Sequence, residues 1–329
     1  MGRLLTLVTG QWADLEFETI CEKARAMGYE GLELACWGKH LNVGKVVNEN
    51  SYADYILATL YKHSLKMVAI GTHLIGQCVG DAPDPRLDGF APAQYAGKPE
   101  AIRSWAIEEM MVCAAAAKKL GVSIATSFCG SPIWRYIYSF PQTTEEMVEE
   151  GFDEIVRLWG PIMDVFRENG VKYALEVHPG EIAFDYWSTK KLLEKLSDRP
   201  EFGLNFDPSH LQWQGVTPHV FLDDFIDRVY HVHIKDATVT LDGRNGILGS
   251  HIDFGDLKRG WNFRSPGRGD VDFESIIRVL NAHGYTGPLS VEWEDSGMDR
   301  EYGAAEAAAF VKKMDFAPSV IKFDEALKN

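Results

Sequence analysis

Four residues late in the chain, Glu176, Asp207, His233 and Glu292, stand at the ends of short apolar runs. Three carboxylates and one imidazole form an oxygen-rich donor set with one nitrogen, which suits a single divalent cation. Mn2+ heads the candidates, with Mg2+, Co2+ and Zn2+ also compatible. A cation held this way polarises carbonyl and hydroxyl oxygens and stabilises the enediolate left when the neighbouring carbon loses a proton. A carboxylate can act as the base if its pKa is lifted towards the working pH. Glu176 and Glu292 are the candidate acid–base pair, and Glu294 is a rival for either role.

Alternation along the strands tests each ligand. In a barrel strand one set of alternate residues faces the helices and the other faces the interior. Val171, Tyr173 and Leu175 form an outward apolar set, which puts Glu176 inside. Phe202, Leu204 and Phe206 do the same for Asp207, and Tyr230, Val232 and Ile234 for His231, His233 and Lys235. Leu289, Val291 and Trp293 leave Glu292 and Glu294 inside. Four strand ends thus aim ionisable groups at one small volume. Burying like charges there is costly without a cation.

Other groups gather around these ends. Lys235 can place a positive charge beside a developing oxyanion, or pair with Asp236 or Glu294. His178 lies past the fifth strand end as a substrate contact. His73 ends the third strand on its interior face, and either His73 or His178 can serve as a base in an elimination. His231 lies a layer deeper, as a packed or supporting histidine. Trp37, with Lys39 and His40, follows the second strand and lines the pocket mouth. Arg268, in Pro-Gly-Arg-Gly, is a candidate for a phosphate or hydroxyl. Trp12, Trp134, Tyr136, Trp187 and Trp213 also follow strands, where aromatic faces suit sugar rings.

The elements that must position these groups read as eight strand–helix units. The strands are expected at Leu4–Thr9, Gly31–Ala35, Lys66–Thr72, Val122–Ser127, Val171–Glu176, Phe202–Asp207, Val229–Lys235 and Leu289–Glu292. Helical periodicity follows at about 15–27, 52–64, 100–120, 144–169, 188–197, 218–226, 272–284 and 302–313. Serial β–α units predict an α/β fold, a (β/α)8 TIM barrel, as a single domain over residues 1–329. Long loops follow strands three and seven, at about Leu74–Pro99 and Ala237–Asp270. Both fall on the face where barrels of this kind carry their active sites.

Composition narrows the function classes. The 329 residues are 46% hydrophobic, enough for a large core. Lys and Arg number 33 against 48 Asp and Glu, a net charge of −15 that argues against nucleic acid as a partner. The five cysteines show no CxxC spacing, which argues against a disulfide framework and for a reducing compartment. No apolar run suits a membrane span, and no signal peptide is evident. A cytoplasmic location is expected, with a small-molecule partner and either a homo-oligomer or a small partner subunit.

The motifs Ala-Leu-Glu-Val-His-Pro-Gly-Glu at 174–181, Asn-Phe-Asp-Pro-Ser-His at 205–210, His-Val-His-Ile-Lys-Asp at 231–236 and Ser-Val-Glu-Trp-Glu-Asp at 290–295 carry a resemblance. The chain resembles the xylose isomerase-like superfamily of sugar isomerases and epimerases. That resemblance implies metal ligation by Glu176, Asp207, His233 and Glu292. It also implies acid–base roles for the two glutamates and substrate binding by His210. The ketose 3-epimerases' substrate arginine, six residues after the ligand histidine, is here Val239. The segment His73-Leu74-Ile75-Gly76-Gln77 looks closer to a branch of sugar phosphate isomerases or epimerases. That branch also resembles the catalytic subunits of C-glycoside deglycosidases. The leading expectation is a metal-dependent sugar, keto-sugar or sugar phosphate isomerase or epimerase, and the alternative is a lyase acting on 3-keto-glycosides. An endonuclease IV-like repair enzyme and a non-catalytic sugar-binding barrel stand further off.

Overall fold

The computed structural model describes residues 2–321 together with residues 324 and 327. Eight parallel strands close into a barrel: β1 (Leu5–Val8), β2 (Gly31–Ala35), β3 (Lys66–Gly71), β4 (Ile124–Ser127), β5 (Lys172–Glu176), β6 (Phe202–Phe206), β7 (Val229–Ile234) and β10 (Leu289–Val291). The seam is β1 against β10, with Leu5 beside Leu289 and Leu7 beside Val291. The helices are α1 (Phe17–Met27), α2 (Val43–Asn48), α3 (Asn50–Lys62), α4 (His73–Gly80), α5 (Pro99–Lys119), α6 (Glu145–Asn169), α7 (Tyr186–Lys195), α8 (Pro208–Gln212), α9 (Pro218–Phe225), α10 (Phe273–Ala282) and α11 (Arg300–Met314).

The outward strand residues make the main core. Leu7, Leu32, Leu34, Tyr173, Leu204 and Val232 are completely buried against helix residues such as Ile20, Ile56, Trp159 and Phe166. The opposite set is polar. Thr6, Glu33, Thr126, Asn205, His231, His233 and Ser290 are all fully buried in the barrel. Burying polar groups costs stability unless they find partners; Glu33 gathers Thr126, His231, His233 and Ser290, whereas Thr6 Oγ1, Asn205 Oδ1 and His231 Nδ1 have no hydrogen-bond partner among the described residues.

Helix boundaries follow local chemistry. Gly170 ends α6 at φ 69°, a left-handed conformation that favours glycine. Asp185 and Ser188 form a reciprocal cap at the start of α7.

Both long connections contain structure that hydrophobic periodicity does not reveal. After β3 the chain turns at once into α4, so His73 opens a helix instead of ending a strand. That helix lies close to the end of β4. A Cβ on Gly76 would sit 2.0 Å from the Phe128 carbonyl oxygen, and one on Gly80 2.2 Å from that of Cys129. After β7, β8 (Asp236–Val239) pairs antiparallel with β9 (Trp261–Arg264). The Asp236 carboxylate anchors this hairpin, accepting hydrogen bonds from the backbone N–H groups of Ala237, Gly267, Gly269 and Val271.

Candidate metal centre and active site

Glu176 closes β5, Asp207 follows β6, His233 lies near the end of β7 and Glu292 follows β10. One ligand atom from each lies within 4.8 Å of those of the other three. Asp207 caps α8. Its Oδ1 accepts the backbone N–H of Ser209 at 2.8 Å and the Ser209 hydroxyl at 2.7 Å. Its Oδ2 is buried and has no hydrogen-bond partner among the described residues. A buried carboxylate oxygen left without a donor is what a cation would satisfy, and the donor set fits a divalent ion.

Glu176 is surrounded by donors. Its Oε2 accepts from Asn205 Nδ2 at 3.0 Å and lies 3.2 Å from His73 Nε2, while His210 Nε2 is 3.1 Å from its Oε1. Burial opposes charge on Glu176, but these histidines and His233 hold its carboxyl well below the usual range. At Asp207 burial wins and raises the pKa, despite the positive charge available from His210 and Lys235. Lys235 Nζ lies 3.0 Å from Glu292 and 3.1 Å from Glu294. Burial again opposes charge on Glu292, yet Lys235, with His233, holds it at about 2. Both glutamates are therefore anionic at neutral pH, the opposite of the upward shift expected of a tuned carboxylate base. Lys235 does not pair with Asp236, whose carboxylate is committed to the hairpin.

A cavity of about 950 Å³ opens above this centre. Glu176, His178, His210, Lys235, Glu292 and Glu294 face it. His178 packs 4.1 Å from the His210 ring and 4.8 Å from Phe128. Burial, reinforced by His210 and Lys235, depresses its pKa and keeps the imidazole neutral. His73 and Trp37 line one side, with their rings 6.1 Å apart. The outer wall is aromatic. Trp213 stacks on Trp261 at 4.4 Å and 4°, and Phe263 lies between that wall and Lys235, whose Nζ is 4.4 Å from its ring.

The structure corrects several expected positions. Arg268 lies away from the cavity, where Glu306 of α11 receives both its Nε and Nη2 hydrogen bonds. The Pro-Gly-Arg-Gly turn instead supplies backbone donors to Asp236. His40 is buried against the Thr9 hydroxyl, 2.9 Å away, and does not line the mouth. Trp12 is core and Trp187 is exposed outside the cavity.

Glu33 is the residue that inspection of strand ends misses. It sits in mid-β2, with one carboxylate between His231, at 2.8 Å, and His233, at 3.0 Å. The hydroxyls of Thr126 and Ser290 also donate to it. Burial opposes its charge, but the two imidazoles hold its carboxyl well below the usual range. The signal was present in Gly31-Leu32-Glu33-Leu34-Ala35, where Leu32 and Leu34 face outward and Glu33 inward.

Among curated relatives, YfiH of Bacillus subtilis (strain 168) is 24% identical over 332 residues, covering 94% of this chain and 98% of that protein. An inosose dehydratase of Clostridium perfringens (strain ATCC 13124) is 33% identical over 128 residues. That alignment spans 39% of this chain and 42% of the dehydratase, less than half of either. Two solved structures share the fold. The 3-keto-D-glucoside 4-epimerase YcjR from E. coli has a TM-score of 0.67 at 14% identity, over 94% of this chain and 100% of its own. An IOLI protein with a bound zinc atom has a TM-score of 0.63 at 19% identity, over 95% and 96%. The family model for the xylose isomerase-like TIM barrel matches residues 21–314, and the chain belongs to that family.

Proposed function

We propose that this protein is an enzyme that moves a proton on the carbon beside a carbonyl of a sugar or keto-sugar, with one divalent cation held by Glu176, Asp207, His233 and Glu292. The carrying observation is Asp207 Oδ2 within that quartet, buried with no hydrogen-bond partner among the described residues and 3.5 Å from His210 Nε2, while Glu176 and Glu292 of the same quartet face the open cavity beside Lys235. A divalent ion there supplies polarisation of the substrate's carbonyl and hydroxyl oxygens and so acidifies the adjacent C–H.

The chain's own groups do the rest. A base must be unprotonated to act, and Glu176 and Glu292 are both held so. Their low proton affinity is offset by the acidified C–H. One takes the proton, and in epimerisation the other first gains a proton from solvent and then delivers it to the opposite face. Lys235 balances negative charge developing on oxygen. His210 and His73 fix the Glu176 carboxylate, and neutral His178 offers a second proton acceptor. The aromatic wall shields this floor from water and suits the C–H faces of sugar rings.

The test is solvent deuterium uptake by a panel of free and 3-keto sugars with Mn2+ present. Uptake at the carbon next to the carbonyl by the parent, lost in Glu176→Gln, supports the reading; equal rates in both contradict it.

A lyase reading shares the first step and is favoured by two observations. The cavity, about 950 Å³, is at the large end of small-molecule sites, and Trp37, Trp134, Trp213 and Trp261 line it together with the polar floor. Curated relatives include inosose dehydratases. In elimination the proton leaves the carbon beside the carbonyl, a double bond forms, and the group on the next carbon departs with its bonding electrons. Release of that group in step with the loss of the carbon-bound proton separates a lyase from an epimerase.

A further inference from the structure

Glu33, His231 and His233 form a second group of potential metal ligands, one layer beneath the quartet, and His233 belongs to both. A single imidazole cannot serve both sets with the same nitrogen. Its Nε2 faces Glu33, 3.2 Å from Oε1 and 3.0 Å from Oε2. Its Nδ1 faces the quartet, 3.2 Å from Glu176 Oε2 and 3.4 Å from Glu292 Oε2, with the Asn205 amide nitrogen 3.1 Å away. The acceptor sites of Glu33 are already filled. Oε1 takes the Thr126 hydroxyl, and Oε2 takes the Ser290 hydroxyl at 3.0 Å and His231 Nε2 at 2.8 Å. An ion in the lower group would have to displace these donors from a fully buried position.

We propose that Glu33 is the positioning residue of the metal centre: it receives the Nε2 proton of His233 and thereby commits Nδ1 to the cation, so the lower group is a support and not a second metal site. This rests on the quartet being a metal centre. Hydroxyls from β4 and β10 and the imidazole of His231 in turn fix the Glu33 carboxylate. One carboxylate in mid-β2 therefore orients a ligand on β7 across the barrel. A carboxylate behind a ligating histidine fixes ring orientation and raises ligand basicity, and losing such a partner typically weakens metal binding ~10–100-fold.

The test is metal affinity, measured by chelator competition with Zn2+ and Mn2+ on the full chain, independent of turnover. Glu33→Gln is expected to weaken binding ~10–100-fold at a stoichiometry of one ion per chain. Thr126→Val and Ser290→Ala each remove a donor to Glu33 but keep its bond to His233, and are expected to fall short of the ~10-fold loss that marks removal of the histidine's own partner. Parent-like affinity in Glu33→Gln, or equal losses in all three variants, overturns the positioning role. Two ions per chain in the parent overturns it as well. Should Glu33→Gln not fold, imidazole 15N spectra of the Zn2+-loaded parent decide: His233 bound through Nδ1 with Nε2 protonated supports the inference, and ligation through Nε2 overturns it. Failure of the parent to bind either metal removes the metal centre itself, and this inference with it, whereas parent binding with an unaffected Glu33→Gln removes only the role of Glu33.

Discussion

Lys235 Nζ lies 3.0 Å from Glu292 Oε2, and that same oxygen is 3.4 Å from His233 Nδ1. One carboxylate oxygen thus touches both the candidate oxyanion partner and a candidate metal ligand. Replacing Lys235 with Met keeps the length of the side chain and removes its charge. Without its cation, the paired Glu292 and Glu294 repel each other. Turnover is expected to fall ~10²–10³-fold, the usual range for losing one group aimed at developing charge. Bound metal should remain at one ion per chain. Steady-state kinetics beside elemental analysis checks both, and an unchanged kcat would remove Lys235 from the mechanism.

Asp207→Ala removes the ligand with the unpartnered oxygen and the cap of α8 together. Metal content is expected to fall to background. Stability should also drop by ~1 kcal/mol from the lost cap, read by denaturant unfolding of metal-free parent and variant. Retention of a full equivalent of metal would show that Asp207 is not a ligand.

Arg268→Ala tests the reassignment of that residue to Glu306. Its KM for any substrate of the parent is expected to stay within about twofold, because an exposed ion pair outside the cavity carries little. A large rise in KM would return Arg268 to the substrate site.

How much was legible beforehand follows from what each residue's surroundings encode. Glu176, Asp207, His233 and Glu292 stand out because each ends a strand whose outward residues are apolar, and period-two alternation fixes which way they point. Glu33 obeys the same rule. Its meaning depends on β2 and β7 facing each other across a closed barrel, a pairing far apart in sequence. The hairpin of β8 and β9 was hidden because its register rests on one buried carboxylate, Asp236, reaching backbone donors some 31 to 35 positions away. Arg268 misled because a glycine-rich turn suits both an anion cradle and a backbone anchor. Only its distance from the cavity separates the two.

Glu181 gives a pH dependence whose sign is fixed. It accepts hydrogen bonds from the backbone N–H groups of Cys129 and Gly130, both at 2.6 Å, while its other oxygen has no hydrogen-bond partner among the described residues. Burial, with the negative charge of Asp81 nearby, raises its pKa from 4.5 to about 8. Between those values the native carboxyl holds a proton that the unfolded one has released, so native stability falls as pH rises from about 4.5 to 8. The change is on the order of 3–4 kcal/mol over that window. Glu181→Gln keeps an acceptor oxygen for both N–H groups and cannot ionise. Its melting temperature is expected to decline less than that of the parent between pH 5 and pH 8. Parallel declines would place the titration elsewhere.

The most direct test of the central claim joins metal to proton transfer in one measurement. Deuterium uptake at the carbon beside the carbonyl of a 3-keto-glucoside is followed by NMR in D2O, with chelator-stripped parent before and after adding one equivalent of Mn2+. A metal-assisted enolisation at the quartet predicts background exchange in the stripped protein, restoration by the single equivalent, and no restoration in Asp207→Ala. Exchange that persists at full rate in the stripped protein would contradict it.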